Sequence, residues 1–347
     1  MLPRQKKRPS LNEIDSVLRQ ELQPHFADLE RLRRRALITL LFCGGLVLAI
    51  IAFILFSAPA PESAKIIGGS LGILIMGSTW IVARSKKEFS AEFKAKVMTR
   101  VAARFFPELK YRPSDHIEQS LYNESQLFRQ ELDTYTGNDY FSGRLGEVDF
   151  QFSELLCQYT TGSGKNRRTV TAFRGFFFVG DFHREIYFRT MIQPDMAESL
   201  LGVLGRGLQR LGNGGRLVDL ENPEFEKLFV VTSDDQVEAR YVLTPLFMEK
   251  LCDFRARVGQ NIHLCFVNGR MILAIETDHD YFEPGLFGEI LSRKDLMKFI
   301  DMLNLLIGVA DEFLHHPKFG AKAPAMPHRP LPVPPPLTAA QKLGLKR

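Results

Sequence analysis

Two long stretches without a charged residue constrain this chain more than any other feature of its sequence. Residues 36–58 and 66–83 contain 23 and 18 residues, and neither stretch holds an acidic or basic side chain. A hydrocarbon core of about 30 Å needs about 20 helical residues, so both stretches are long enough to cross a membrane. Only residues 59–65 lie between them, which predicts a two-helix transmembrane hairpin over 36–83. Two buried core helices of a soluble protein are the alternative.

The basic residues that flank the two stretches predict their orientation. They precede the first stretch and follow the second, whereas the connection carries only Lys65 and Glu62. Because positive residues are retained on the cytoplasmic side, we expect a multi-pass protein with both termini in the cytoplasm. The residues that set this topology are Arg33, Arg34, Arg35, Arg84, Lys86 and Lys87.

The net charge of +5 is unevenly distributed along the chain. Residues 1–35 carry a net charge of +4 and residues 318–347 carry +6, which leaves −5 on residues 84–317. A nucleic-acid-binding domain carries its positive charge on the folded part. Here the positive charge flanks the apolar stretches, which favours a lipid bilayer with anionic head groups as the partner and argues against nucleic acid.

Three further segments complete the predicted organisation. Residues 1–35 form a basic segment with apolar residues at helical spacing, in which Pro24 is expected to break or kink the helix. The segment is expected to lie along the membrane surface or to pack on the soluble domain. Residues 85–106 predict a juxtamembrane helix, and residues 318–347 predict a disordered Pro-rich tail. The apolar stripe of the juxtamembrane helix consists of Phe89, Phe93, Val97, Val101 and Phe105.

Residues 84–317 predict an antiparallel-rich α+β domain in the cytoplasm. Asn268-Gly269 between two apolar runs is a strong hairpin signal, and residues 229–232 lie in a predicted strand, EKLFVVT. Helices are predicted over 195–211, over 244–258 with Thr244 as the N-cap and Gly259 at the end, and from about 293 to 315 with Ser292 and Asp295 as the N-terminal cap. Strand pairs with interleaved helices are typical of the α+β class.

Small residues in the second apolar stretch allow close packing of helices. Gly68 and Gly72 have the spacing that lets two helix backbones approach each other. They predict packing within the hairpin through Gly44 and Gly45, with a dimer contact between two hairpins as the alternative. A homo-oligomer through the hairpin therefore stays a prediction.

No known catalytic, cofactor or metal motif is complete in this sequence. Residues 162–165 (GSGK) resemble the end of a phosphate-binding loop, but Tyr159 stands where that loop needs glycine and Asn166 where it needs Ser or Thr. We therefore predict a hairpin turn at this position. The four cysteines form no CxxC pair, and the histidines lack metal-ligand spacing. We predict no cofactor, no metal and no catalytic residue, and whether the chain is an enzyme stays open.

One acidic stretch is denser than a surface requires. It surrounds the strand predicted at residues 229–232, and it suggests either a site for a cation or basic ligand, or helix capping and turn chemistry. The candidate functional residues are Glu221, Asp234, Asp235 and Arg240.

The Pro-rich tail carries a second candidate motif. Arg329, Leu331, Pro332 and Pro335 fit the RxLPxxP pattern that docks in an aromatic groove of the SH3 type. We favour a plain spacer over the docking motif, because short matches are common in Pro-rich segments.

Several motifs in order carry a resemblance to a known family. The sequence LENPEFEKLFVVTSDDQVEARYVLTP at residues 220–245, together with FSGRLGEVDFQFSE and FRGFFFVGDF, is similar to a family of bacterial membrane proteins with domain of unknown function 3137. The resemblance extends over about residues 35–315. It implies a protein of the bacterial inner membrane with a cytoplasmic domain, and it implies no activity and no site residues.

Two functions of different classes are consistent with these observations. The first is a membrane-anchored interaction or scaffold module, which meets a protein partner through the α+β domain or the tail. The alternative is a membrane-tethered enzyme with an unrecognised active site that acts on lipid or nucleotide. The two stretches contain no ionisable residue of the kind that marks a transport path.

Overall fold

The structure, a computed structural model, describes residues 9–57, 61–145, 148–183, 188–195, 215–279 and 281–314. These residues fall into two compact units. The first, here called the helical unit, contains residues up to 107 together with 281–302. The second, here called the sheet unit, contains residues 108–279 and the described residues from 303 onwards.

The helical unit consists of helices that follow one another almost without interruption. They are α1 (Leu11–Ser16), a π-helical segment (Val17–Leu22), α2 (Gln23–Ser57), α3 (Pro61–Phe93), a second π-helical segment (Lys94–Met98) and α4 (Thr99–Phe105). The beginning of α9 (Arg293–Leu314) also belongs to this unit. Helices α2 and α3 contact each other.

Pro24 does not break the N-terminal helix, so one of the two outcomes expected from the sequence, a break, is excluded. The π-helical segment ends at Leu22, and α2 continues through Pro24. A π-helical turn changes the hydrogen-bonding pattern of the backbone just before the proline. We therefore attribute the continuous helix to this segment, because its altered hydrogen-bonding pattern accommodates the backbone N–H that proline lacks.

The predicted apolar stripe of residues 85–106 is confirmed. Its five residues are all buried, and the helix continues to Phe105. Lys94 lies on the same side and is only 4 % exposed. Its Nζ is 2.7 Å from Oε1 of Glu283, and Ser90 Oγ donates to Oε2 of Glu283 at 2.5 Å. The buried ammonium group is thus compensated by a carboxylate within the helical unit.

Residues 281–302 are fastened to the N-terminal helices by further polar contacts. The Arg293 guanidinium donates twice to Asp15, at 2.8 and 2.6 Å. Arg33 donates to the carbonyl of Gly288. These contacts show that the basic N-terminal segment packs on protein within the helical unit. The cap predicted at Ser292 and Asp295 is confirmed, because Ser292 Oγ accepts from the Asp295 backbone N–H at 3.2 Å.

The sheet unit is built on one antiparallel sheet of nine described strands. Their spatial order is β1-β2-β3-β4-β9-β8-β5-β7-β6, and every described pair of neighbours is antiparallel. The strands are β1 (Lys110–Arg112), β2 (Thr134–Leu145), β3 (Val148–Thr161), β4 (Arg168–Asp181), β5 (Thr190–Pro194), β6 (Arg216–Leu217), β7 (Phe229–Ser233), β8 (Ile262–Val267) and β9 (Arg270–Glu276). A mixed fold of helices and an antiparallel sheet is therefore confirmed.

Two turns lie where the sequence predicts them. Asn268 and Gly269 join β8 to β9 with φ values of 47° and 74°, as a tight hairpin requires. The GSGK residues lie between β3 and β4, in a connection that includes a short 3₁₀ turn, Gly164–Asn166. This position confirms the hairpin turn that we predicted in place of a phosphate-binding loop.

The described helices of the sheet unit are short apart from α8. They are α5 (Gln119–Ser125), α6 (Pro223–Leu228), α7 (Gln236–Val242) and α8 (Pro245–Val258). Helix α8 has the predicted N-cap, Thr244, and ends at Gly259 with φ of 66°. The strand prediction for EKLFVVT is wrong in its first part, because residues 226–228 belong to α6. Asn222 caps that helix, and Pro223 occupies its first turn.

The sheet has a different covering on each face. One face, called here the α5 face, packs against α5 and the residues that follow it, and Tyr122 lies 5.5 Å from Phe177 between ring centroids. On the opposite face, Phe247 of α8 lies 5.9 Å from Phe266. Gly175 of β4 has φ of 144°, and a Cβ there would overlap the carbonyl of Ile275 on β9. The close approach of β4 and β9 therefore requires glycine.

One helix of the described residues, Leu11–Phe56, is long and apolar enough to cross a membrane by length and composition. The predicted glycine packing within the hairpin is wrong where the structure can test it. A Cβ added to Gly44, Gly45 or Gly72 would meet no atom within 4 Å. These glycines do not contact the neighbouring helix closely.

Some predictions fall outside the described residues. They are most of the helix predicted over 195–211 and the whole tail, including Arg329, Leu331, Pro332 and Pro335. The side chains of residues 61–69, a range that includes Gly68, are likewise not described. The domain boundaries and the disorder of the tail stay predictions.

Candidate functional site

Charged side chains collect along one edge of the α5 face. Because neighbouring strands are antiparallel, the ends of β4, β7 and β8 meet the beginnings of β5 and β9 at this edge. The residues after α5 approach the same edge. We call this set the charged rim, and its members are Glu124, Gln126, Arg129, Asp181, Arg189, Asp234 and Arg270.

Arg270 is the fully compensated cation of the charged rim. Its Nε donates to Asp181 Oδ2 at 3.1 Å, and its Nη1 donates to Glu124 Oε2 at 2.7 Å. Asn268 Nδ2 fixes the other oxygen of Glu124 at 2.6 Å. Burial lowers the pKa of Arg270, but the two carboxylates outweigh burial and raise it above its ordinary value. This arrangement holds β4, β9 and α5 together.

Arg189 is buried without such compensation. The residue is 9 % exposed, and its Nη1 donates to the neutral amide oxygen of Gln126 at 3.1 Å. Among the described residues, the buried Nε–H of Arg189 has no hydrogen-bond acceptor. A buried donor on a cation is costly when no hydrogen bond within the protein replaces its lost hydration.

The backbone at Arg189 is held firmly. Its carbonyl accepts from the Asp234 backbone N–H at 3.1 Å and from Ser233 Oγ at 3.1 Å. The hydroxyl groups of Thr190 and Ser233 lie 2.8 Å apart, and both are buried. Gln193 Nε2 donates to the Leu127 carbonyl at 3.3 Å, which ties the segment after α5 to β5. The backbone that carries the Arg189 side chain therefore has a defined position.

Arg129 brings a second positive charge to the same place. Burial lowers the pKa of Arg129, and the positive charge of Arg189 lowers it further. The charges of the two guanidinium groups thus repel each other in a partly desolvated setting.

A polar groove opens on the side of α5 where Arg270 lies. Its volume is 770 Å³, and its lining includes Arg112, Tyr140, Gln151, Glu124 and Arg270. The Arg112 guanidinium lies 4.4 Å from the centre of the Tyr140 ring, and Tyr140 donates to Gln151 Oε1 at 3.0 Å. A groove of this size with an aromatic ring and charges of both signs is suited to a polar chain of a few residues.

The structure does not bring the four acidic-stretch candidates together by any described contact. Asp235 is the N-cap of α7 and accepts from the backbone N–H groups of Val237 and Glu238 at 2.9 and 3.1 Å. Arg240 donates to Gln236 Oε1 at 3.3 Å, and Glu221 is exposed in the turn before α6. Asp234 alone belongs to the charged rim.

Asp234 is not a tight counter-ion of Arg189. Partial burial of the Asp234 carboxyl group raises its pKa. The positive charge of Arg189 and a hydrogen bond from its backbone oppose this rise only in part. A close ion pair would leave the pKa of a carboxyl below its ordinary value. Capping therefore accounts for Asp235, whereas Asp234 responds to a neighbouring charge.

The described residues contain no cluster of three or more acidic, histidine or cysteine side chains that could hold a metal ion. Burial raises the pKa of Cys157 and of Cys265 to about 12, so neither thiol ionises near neutral pH. His263 Nε2 lies 3.1 Å from Glu276 Oε1, on the α5 face.

Sequence reasoning missed the arginines of the charged rim. Arg129, Arg189 and Arg270 stand far apart in the chain, and each is a single basic residue beside an apolar run. The only local signal is a charge at the very start of the apolar strand β5, where Arg189 precedes Thr190. Their proximity follows from the strand order, which the sequence does not reveal.

Comparison with known proteins identifies part of the chain. Residues 171–314 match the model of a family described as "Protein of unknown function (DUF3137)". This match confirms the resemblance over those residues, and the function of the family is unknown. No curated protein matches the chain.

Among solved structures, the crystal structure of the mycobacterial trehalose monomycolate transport factor A, TtfA, is similar to this chain. The identity is 9% and the TM-score is 0.31, with 67% of this chain and 97% of that chain covered. A similarity this distant carries no argument about what this chain does.

Proposed function

We propose that this protein is a membrane-anchored interaction module of the bacterial inner membrane, with α2 and α3 crossing the bilayer as a hairpin. The observation that carries the proposal is the exposed apolar surface of α2. Leu41, Phe42, Leu48, Phe53 and Phe56 are each at least 67% exposed. A row of large apolar side chains in water would be strongly unfavourable, whereas lipid solvates them.

Helix α3 supports a second crossing in the same way. Its apolar side chains Ile73 and Met76 are 71% and 70% exposed. Trp80 is 63% exposed, and the Arg84 guanidinium lies 5.7 Å from the centre of its ring. An aromatic ring next to an arginine is typical of the level of the lipid head groups. This placement agrees with cytoplasmic termini, set by Arg33, Arg34 and Arg35 before the first crossing and by Arg84, Lys86 and Lys87 after the second.

Cysteine labelling in intact cells tests the hairpin. Ser63→Cys lies in the connection between the two crossings, and Ser85→Cys lies just after the second. With a membrane-impermeant maleimide, we expect labelling of Ser63→Cys in spheroplasts and labelling of Ser85→Cys only after lysis. The unsubstituted chain, with its four native cysteines, gives the background. Equal labelling of both variants in spheroplasts would overturn the proposed topology.

For the interaction, we propose that the polar groove of the sheet unit receives a protein partner. A photo-crosslinking residue at Tyr140, within the native membrane, is expected to capture a specific protein. The Arg112→Glu variant is expected to abolish this product, because it reverses the charge at the groove. The same residue at Tyr241, exposed on α7, is the matched control.

Removal of the tail distinguishes the two surfaces at which a partner could bind. A chain that ends near Lys318 keeps its Tyr140 product if the groove recognises the partner. Loss of the product would shift recognition to the RxLPxxP motif. If no site yields a product, the interaction proposal fails, and the enzyme acting on lipid or nucleotide becomes the better hypothesis.

A further inference from the structure

We propose that the loop at residues 285–290 is a further membrane contact of the helical unit, in which the Phe287 side chain inserts into the head-group layer of the bilayer. The partner is the lipid surface itself. The inference rests on the proposed crossing of α2, and it adds a contact that neither of the two crossings contains.

The loop projects from a firmly packed base. Phe282 is 1% exposed, and its ring centroid lies 4.9 Å from that of Phe299 on α9. Pro284 before the loop and Leu291 after it are both buried. Between these two residues, Phe287 is 73% exposed. The loop therefore presents a large apolar ring to its surroundings, while its two ends are held by the protein.

A contact with α2 places the loop beside the start of the first uncharged stretch. Arg33 donates to the carbonyl of Gly288, which directly follows Phe287. Arg33 stands three residues before Ala36, where the stretch begins, and three residues span about 4.5 Å of helix. The head-group layer on each side of a bilayer is about 5–7 Å thick. If α2 crosses as proposed, the backbone that Arg33 holds lies at the depth of the head groups.

The chain on either side of the loop lies farther from the uncharged stretches than the loop does. Before the loop, Glu283 accepts from Ser90, which lies seven residues, or about 10 Å of helix, beyond the end of the second stretch. After the loop, Arg293 binds Asp15, which lies 18 residues before residue 33 in the same succession of helices, or about 25 Å. The chain thus rises towards the bilayer and descends again, with Phe287 near the top.

Lipid is the occupant that this position favours. A single exposed apolar side chain is common on protein surfaces and needs no partner. Phe287 differs because of its depth, since an apolar ring at the head-group layer can reach the boundary of the acyl chains. The loop contains one acidic residue, Glu289, whereas residues 31–35 contain four arginines. Arginines next to a membrane attract anionic head groups.

Tryptophan fluorescence of the full chain in lipid discs tests the inference, because the chain contains one tryptophan, Trp80. The background is Trp80→Phe. Into it, Phe287→Trp, Leu11→Trp and Phe53→Trp each place a single indole at an exposed apolar position. Leu11 lies 25 residues before the first uncharged stretch, and Phe53 lies within it. The discs contain phosphatidylglycerol and phosphatidylcholine, and in one preparation the phosphatidylcholine carries bromine on the upper part of its acyl chains, which quenches a nearby indole.

We expect bromine to remove about half of the emission of Phe287→Trp, because the ring lies about 5–10 Å into the boundary layer. Leu11→Trp is the matched control in the same unit and is expected to keep its emission. Phe53→Trp reports the crossing itself and is expected to be quenched.

The two proposals fail in different ways. Quenching of Phe53→Trp without quenching of Phe287→Trp would overturn the inference and leave the crossing of α2 intact. If neither variant is quenched, the proposed crossing fails and the inference fails with it. A Phe287→Trp indole that bromine does not reach, but that is protected from acrylamide in the water, would assign the ring to a contact with protein and would also overturn the inference.

A matched pair of arginine substitutions tests how the loop is held. Arg33 and Arg34 both pair with Glu30, but among the described contacts only Arg33 reaches the carbonyl of Gly288. In the Phe287→Trp protein, Arg33→Met is expected to reduce the quenching by bromine, whereas Arg34→Met is expected to leave it unchanged. Equal quenching in the two variants would overturn the role of Arg33 in positioning the loop.

Discussion

Among the described residues, the helical unit and the sheet unit each contain one buried Lys or Arg side chain, and the two are compensated differently. Lys94 in the helical unit meets a carboxylate at 2.7 Å, and a hydroxyl group holds the second oxygen of that carboxylate. The one described side-chain hydrogen bond of Arg189, in the sheet unit, goes to the neutral amide oxygen of Gln126. The first arrangement is complete without any other molecule. The second leaves the buried Nε–H of Arg189 without an acceptor among the described residues.

This difference separates two situations of a buried charge. A compensated buried charge fixes the position of two elements, and its removal is felt as a loss of stability. An uncompensated charge costs stability in the free protein, and this cost is retained where a ligand benefits from it. Four substitutions rank charged groups by how completely opposite charges and hydrogen bonds within the protein compensate them.

The largest effect is expected for Glu283→Gln. The substitution leaves the Lys94 ammonium buried beside a neutral side chain, which predicts a loss of about 3 kcal/mol in the free energy of unfolding. Denaturant unfolding of the full chain in micelles measures it. The double variant Lys94→Met with Glu283→Leu is expected to recover most of the loss, because two apolar groups need no compensation. A single variant as stable as the unsubstituted protein would remove the basis of the comparison.

A smaller effect is expected for Asp235→Ala. The variant loses the two hydrogen bonds that cap α7, which predicts a cost of about 1 kcal/mol. Asp235→Asn keeps the capping oxygen and is expected to cost a few tenths of that, by the same unfolding measurement. If Asn is as harmful as Ala, the charge of Asp235 matters in itself. The cation-site interpretation of the acidic stretch would then regain support.

The third effect depends on pH. Glu276 accepts hydrogen bonds from His263 and Asn261, and these lower its pKa below the ordinary 4.5 in spite of partial burial. A carboxyl with a lowered pKa stabilises the fold above its ordinary pKa, and this stability is lost as the pH falls through the folded value. At pH 7 the free energy of unfolding of the unsubstituted protein is therefore expected to exceed that of Glu276→Gln. The difference is expected to be less than about 1 kcal/mol, because the carboxyl group is partly exposed.

Melting temperatures measured from pH 7 to pH 3 check this expectation. The advantage over Glu276→Gln is expected to vanish at the acid end. Glu249→Gln, an exposed substitution on α8, serves as the reference. An advantage that grows towards low pH would show that the sign is wrong.

The smallest effect is expected for Arg189→Met in chloride buffer. Because the guanidinium is poorly compensated, its replacement by an apolar side chain is expected to change the free energy of unfolding by less than about 1 kcal/mol, in either direction. The same denaturant series as for Glu283→Gln measures it. A loss as large as that of Glu283→Gln would mean that Arg189 is a structural cation like Lys94, and the contrast between the two units would disappear.

Local features of the fold were predictable because short-range physics determines them. Asn268-Gly269 specifies a tight turn whatever surrounds it, and Thr244 and Gly259 define the ends of α8 by capping. The spacing of the apolar stripe from Phe89 to Phe105 predicts a buried helix face, and these residues are buried. Helix α6 was missed, because the apolar run at residues 229–231 extended the strand prediction back over residues 226–228. Asn222 and Pro223 decide for the helix there.

The charged rim could not be predicted in this way. Strand β5 pairs with β8 and β7, and only this order brings Arg189 next to Gln126 and Asp234. Pairing between distant strands depends on the packing of both faces, for which no local pattern is diagnostic. The acidic stretch attracted attention because its residues are neighbours in sequence. In the structure Asp235 serves a helix end, and Asp234 joins residues from other strands.

The two π-helical segments of the helical unit have a consequence for chain length. Each accommodates one more residue than an α-helix of the same span, so the helices before and after it keep their orientation. Deletion of one residue between Lys94 and Met98 would restore regular α-helix and leave both flanking faces in place. The same deletion in α2 would rotate everything beyond it by about 100°. Relatives one residue shorter at either segment are therefore compatible with the same packing, and an alignment gap belongs there.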